Sequence, residues 1–144
     1  PCPAYEQNEP GYDLFVVNHK VPFLTFTFTA ENGWLNDLAD RKAKIYNVGI
    51  HPETARRKGL RDGQQVNLET FSGRKQSAVL RVTEGVHPQV ISVPGILGRW
   101  ATRNKQSRGK GVHFNSLLKY SFDQIDTVSA ALDACVKVKV APAE

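Results

Sequence analysis

The sequence predicts a mainly β domain, closed as a small barrel and carrying two or three short helices. Three observations carry that prediction. First, Gln65 to Phe71 alternates, with Val66 and Leu68 on one face, and Gln76 to Thr83 alternates again, with Ala78, Leu80 and Val82 inward. Ser72-Gly73-Arg74 joins the two runs as a turn, which makes a β-hairpin. Second, Val136, Val138 and Val140 alternate with Lys137 and Lys139, giving a final strand with a solvated lysine face. Third, Ile50 to Val66 packs a strand end, one short helix, a tight turn and a new strand into one stretch. Short strands at this spacing leave edges that closure into a barrel removes.

The elements follow in order. Residues 1–12, with Pro1, Pro3, Pro10 and Gly11, read as an irregular entry segment ahead of a single domain over 13–144. Asp13 to Val17 reads as a strand. Phe23 to Phe28 alternates Phe and Leu with Thr, so it reads as strand or extended chain. Asn32-Gly33 breaks it, and Trp34 to Ala39 reads as a short helix with Trp34, Leu35 and Leu38 inward. Ile45 to Ile50 is a predicted strand. Pro52 then suits the first helical position and Gly59 the left-handed residue that ends a helix. Asp62-Gly63 is the turn before the hairpin. Val90 to Val93 reads as a short buried strand closed by Pro94-Gly95, and 95–112 as a long loop. Val112 to Leu118 is a strand or a turn of helix around Asn115, and 126–134 is ambiguous.

The chain has 144 residues, enough to bury one core. Hydrophobic content is 40% and charged content 23%, an ordinary globular balance. No apolar run approaches the roughly 18 residues of a membrane span, and the first residues lack the basic and apolar pattern of a signal peptide. There is no Met, even at position 1, so the chain is expected to be a domain of a longer protein. Cys2 and Cys135 offer no disulfide framework and leave the compartment open. Net charge is +5, and Arg99, Arg103, Lys105, Arg108 and Lys110 share a stretch without acids. Such a run is a solvated loop or an anion-attracting surface.

Catalytic signals are sparse. His19, His51, His87 and His113 form no ligand spacing with Cys, Asp or another His, so no metal site is expected from this chain. No nucleophile elbow, phosphate-binding loop or dinucleotide fingerprint is present. Two regions suit ligand contact. Asn18-His19-Lys20 follows a buried strand, which would hold it rigidly while it faces outward. The Gly95–Asn115 loop brings glycines that admit close backbone approach, and Trp100 either anchors the loop in the core or binds.

Together these residues resemble the C-terminal molybdopterin-dinucleotide-binding domain of the dimethyl sulfoxide reductase family of molybdenum and tungsten enzymes, over roughly residues 12–140. Leu14 to Lys20 resembles that domain's first strand and its T-G-R-like turn. Asn32 to Leu38 resembles its N-P-W-L-x-E-L segment, and Ile50 to Val66 its I-N-P-E-D-A-x-x-L-G-I-x-D-G-D-x-V segment. Val86 to Trp100 resembles its strand ending in a P-x-x-x-G-x-W loop, and Gly111 to Leu117 its G-x-N-x-N-x-L segment. The resemblance implies a double-psi β-barrel of the aspartate decarboxylase-like kind. It also implies a domain that cradles the bis(molybdopterin guanine dinucleotide) cofactor, with Mo or W and the metal's ligand held elsewhere in a larger oxidoreductase.

Carried over position by position, Asn18, His19, Lys20, Thr25, Thr27, Gly98, Arg99, Trp100 and Asn115 are the cofactor-binding candidates. Lys20 replaces a usual Arg and keeps the charge without bidentate geometry. Phe23 to Thr27 replaces a Y-H-x-H-S-like stretch; Leu24 and Phe26 take the histidine positions and leave Thr25 and Thr27 as donors. No catalytic or metal-ligating residue is assigned, and the chain alone is expected to be inactive. Expected partners are the remaining domains of the parent enzyme and an iron–sulfur electron-transfer subunit, with no nucleic acid and no membrane insertion. The alternative is a cofactor-free barrel used as an interaction module.

Overall fold

Alternation sets the inside and outside of the barrel. The computed structural model describes residues 6, 8–25, 29–42, 44–95 and 97–143. The strands are β1 (Leu14–His19), β2 (Val48–Ile50), β3 (Gln65–Thr70), β4 (Lys75–Val82), β5 (Val90–Pro94) and β6 (Lys137–Pro142). They close in the order β1-β5-β2-β4-β3-β6, with β6 returning to β1. Two neighbour pairs, β1 with β5 and β2 with β4, run parallel; the others are antiparallel. Every second residue points in: Leu14, Val16, Val66, Leu68, Ile91, Val93 and Val138 are sealed in one core with Val48, Ile50 and Leu80.

The stretch from Ile50 to Val66 folds as its residues dictate. Helix α2 (Pro52–Arg57) starts with Pro52, and the His51 ring Nδ1 accepts from the Glu53 N–H at 3.2 Å. Arg56 and Arg57 stand in the last turn, where the helix dipole favours cations. Gly59 ends the helix at φ +66°. The β3–β4 hairpin pairs Val66 with Ala78 and Leu68 with Gln76, and the final strand packs on β3 with Leu68 opposite Val140.

Three sequence expectations are corrected. Phe23 to Phe28 is not a strand where it is described. Pro22-Phe23 turns, Val21 and Leu24 pair across that turn, and Thr25 N–H donates to Thr29 Oγ1; Phe26–Phe28 lie outside the described residues. Pro22 fixes its φ and has no N–H to give a ladder, which favours the turn. Helix α1 (Gly33–Asp40) forms with an Asn32 cap, but Trp34 is 89% exposed and Leu38 also faces out. The helix turns Asn36 and Ala39 inward instead. Buried Asn36 donates to the Ala30 carbonyl at 2.7 Å and to the Asn32 carbonyl at 3.0 Å, and these bonds fix the face. In the Ile45–Ile50 segment only Val48–Ile50 is strand; residues 44–47 turn, with Lys44 at φ +63°. Of the two alternatives for Val112 to Leu118 the turn of helix forms, with Asn115 on a 3-10 turn, Phe114–Leu117, and the ambiguous 126–134 is irregular apart from a bridge between Ile125 and Leu132.

A second, smaller core sits beside the barrel. Val21, Leu24, Ala39 and Leu97 are buried together, with Leu35, Ile45 and Tyr46 packed on them. It joins α1 to the turn after β1 and to the long loop.

Candidate functional site

The described candidate residues fall into two clusters. The first lies where β1 ends beside β5. Asn18 and His19 pair with Val93 and Pro94, and the Gly95 N–H donates to the His19 carbonyl at 2.7 Å. A Cβ on Gly95 would overlap the Asn18 amide, so glycine lets the β5 exit lie against the end of β1. Asn18, His19 and Lys20 are all exposed. His19 Nδ1 lies 2.7 Å from the Ser92 hydroxyl. Burial, and then the Arg81 guanidinium, hold the His19 pKa below the ordinary imidazole value. Sequence alone passes over Ser92 and Arg81. The signal that finds them is Gly49, a glycine inside a strand, in register with both.

The second cluster lies on the long loop. Gly98 has φ +70°, its N–H bonds to the Lys110 carbonyl at 2.5 Å, and a Cβ there would overlap the His113 backbone. Arg99 pairs with Arg108 as an isolated bridge. Trp100 is 65% exposed and sits edge-on to His113, with ring centroids 4.7 Å apart. It does not anchor the loop in the core; Leu97 does. His113 Nδ1 lies 2.7 Å from the Ser116 hydroxyl, and burial followed by Arg99 lowers its pKa. The Asn115 carbonyl accepts from the Tyr120 hydroxyl at 3.1 Å, and its side chain is exposed to solvent. Thr25 is exposed beside Leu24, while Thr27 lies outside the described residues.

Two carboxylates fasten the loop to α1 and the turn before it. Glu31 accepts from the Gln106 N–H at 3.0 Å and from the N–H and hydroxyl of buried Ser107 at 3.2 and 2.5 Å. The Ser107 hydroxyl, and then the Gln106 N–H, hold the Glu31 pKa below the usual range. Lys110 is not a solvated cation of the basic run: its ammonium bonds both Asp40 oxygens at 2.8 and 2.7 Å and lies over the Tyr46 ring. The Lys110 bond lowers the Asp40 pKa, while burial and Asp40 raise that of Tyr46. Arg103, Lys105 and Arg108 stay exposed. Among the described residues no group of three or more His, Cys, Asp and Glu side chains could hold a metal. No described helix is long and apolar enough to cross a membrane.

Residues 23–135 match the family model of the molydopterin dinucleotide binding domain. The chain belongs to that family. Over 73 residues it is 32% identical to the thiosulfate reductase molybdopterin-containing subunit PhsA of Salmonella typhimurium, a match that covers 51% of this chain and 10% of that subunit. The barrel superposes on acetylene hydratase from Pelobacter acetylenicus with a TM-score of 0.70 at 18% identity, over 92% of this chain and 18% of that one. This molybdopterin-binding domain therefore spans a small part of the length of the larger proteins it matches. The family match runs across α1, the long loop and the 3-10 turn, so both clusters belong to it, apart from Asn18–Lys20, which precede it.

Proposed function

We propose that this domain cradles a bis(molybdopterin guanine dinucleotide) cofactor inside a larger molybdenum or tungsten oxidoreductase. The observation that carries this reading is the grouping of Gly98, Arg99 and Trp100 against His113, two residues before Asn115, within the family-matched stretch. The donor set suits such a cofactor. An exposed Asn115 amide both donates and accepts. Gly98 lets backbone come close, and Lys20 and Arg99 supply positive charge for phosphate oxygens. Asn18, His19, Thr25 and Thr27 would complete the contacts. The bound metal would supply the redox chemistry; this chain's residues would bind, orient and exclude water. Residues 13–144 form the binding domain in this reading. The other domains of the parent, and an iron–sulfur subunit, are its partners.

The test is cofactor content. In the parent enzyme, Lys20→Ala and Asn115→Ala should each lower pterin and metal per protein several-fold. Unchanged content would sink the site assignment. A second reading, the cofactor-free interaction module, draws support from Leu24. It stands where the family pattern has a histidine, and at 1% exposure it is sealed in the second core. A parent protein purified without pterin would favour that reading.

A further inference from the structure

A groove of about 300 Å³ crosses the outer face of the barrel, between the end of β1 and the Lys44 turn. Its position follows from register. Val17 pairs with Ser92, Ser92 with Gly49, and Gly49 with Arg81, so these four residues form one row across β1, β5, β2 and β4. Their neighbours Val16, Ile91, Val48, Ile50 and Leu80 point into the core, so the row faces out. Gly49 is the floor. Its backbone is not in the left-handed region, so glycine is present there for space and not for conformation. A Cβ would fill that floor, meeting Ser92 and Val86 at 3.4 Å and Thr83 at 3.5 Å in ordinary van der Waals contact. A strand glycine that leaves an open floor marks close approach by another group.

The walls are cationic. Lys20, Lys44 and Arg81 line the groove beside the His19 ring, which folding favours as neutral, and none of its lining residues is a carboxylate. Lys44 is balanced by Asp62, which stands outside the groove. Arg81 forms no ion pair within 4 Å among the described residues, although its charge also reaches Asp62 and helps lower that carboxyl's pKa. The hydroxyls of Ser92 and Thr83 add neutral donors.

We infer that this groove is a binding site for a phosphate-class oxyanion, with Arg81 as its principal charged contact and Gly49 as its floor. The ligand class stands on the groove itself. Its source, the diphosphate of the dinucleotide, rests on the function proposed above.

The experiment titrates the 144-residue chain with inorganic pyrophosphate, GDP and guanosine, following backbone amides by NMR. Amides of Gly49, Gly85 and Ser92 should move with both phosphates and not with guanosine. Arg81→Ala should weaken pyrophosphate binding by about tenfold or more, as loss of a charge-assisted bond does. Arg81→Lys should restore part of it. Gly49→Ala, which the surrounding atoms accommodate, should weaken binding while leaving the unfolding midpoint unchanged or higher. Pyrophosphate shifts confined to residues 103–108, or equal affinity in Arg81→Ala, would overturn the site. The source is read separately, from cofactor content of the parent enzyme carrying Arg81→Ala. A loss assigns the groove to the dinucleotide. Unchanged content, with pyrophosphate still bound at the groove, removes that assignment and keeps the oxyanion site. The Asn115→Ala result tests the cofactor reading independently of both.

Discussion

At the scale of single residues, two glycines separate two kinds of constraint. Gly59 and Gly98 both have positive φ, but a side chain at Gly59 meets open space while one at Gly98 meets the His113 backbone. Gly59→Ala should therefore cost about 1–2 kcal/mol, the strain of a left-handed L-residue. Gly98→Ala should add about 1–3 kcal/mol of overpacking to that, as read from urea midpoints. Gly59 was legible in sequence because a stop follows a proline-started helix. The contact at Gly98 was not, because the residues it meets lie on the far side of the loop. Histidines give a second residue-scale prediction. His19 and His113 have lowered pKa values, so folding favours their neutral forms. Their contribution to stability is present above the ordinary imidazole value and is lost as pH falls through the folded value. NMR titration should find both below that ordinary value. Arg81→Ala should raise His19 and leave His113, and Arg99→Ala should do the reverse.

Among the elements, those with a period of their own were legible. β3, β4 and β6 alternate, and burial follows that alternation. Helix α1 shows the limit. Its existence follows from Asn32-Gly33 and the run after it, but its inward face depends on an Asn36 bond to Ala30 and on Lys110, from a distant loop. Leu35 packs inward as read, but Trp34 and Leu38 read as apolar on the wrong side when a buried amide decides the rotation. The same loop yields a prediction. Glu31→Gln should loosen the Gln106–Ser107 anchor and raise hydrogen exchange there, with β-strand amides unchanged. Acid should do likewise. The Glu31 pKa is depressed on folding, so its contribution is present above the usual glutamate range and is lost as pH falls through the folded value. Exchange at Ser107 that stays flat from neutral to strongly acid pH would refute this anchor.

For the whole molecule, β-content and closure were foreseeable, but the pairing was not. Local patterns show which residues point in; they do not say that β1 lies beside β5 and β6. The surface also reports on context. Phe122 is 93% and Val128 94% exposed, with Tyr120 and Ile125 near them in sequence, in a segment that is irregular apart from a 3-10 turn over Phe122–Gln124. A chain that covers only 18% of its structural neighbour leaves room for such a face to be covered in a larger protein. Phe122→Ser with Val128→Ser should reduce self-association of the isolated chain in sedimentation, with stability changed by less than about 0.5 kcal/mol. The strand order has one more consequence. Among the described residues, β6, the last of the six strands in chain order, links β1 to β3. While these strands are made in chain order, they stay an open sheet with two raw edges until Lys137–Pro142 leaves the ribosome. Those edges need protection until β6 arrives, and a chain cut short before β6 yields a sticky sheet instead of a slightly smaller barrel.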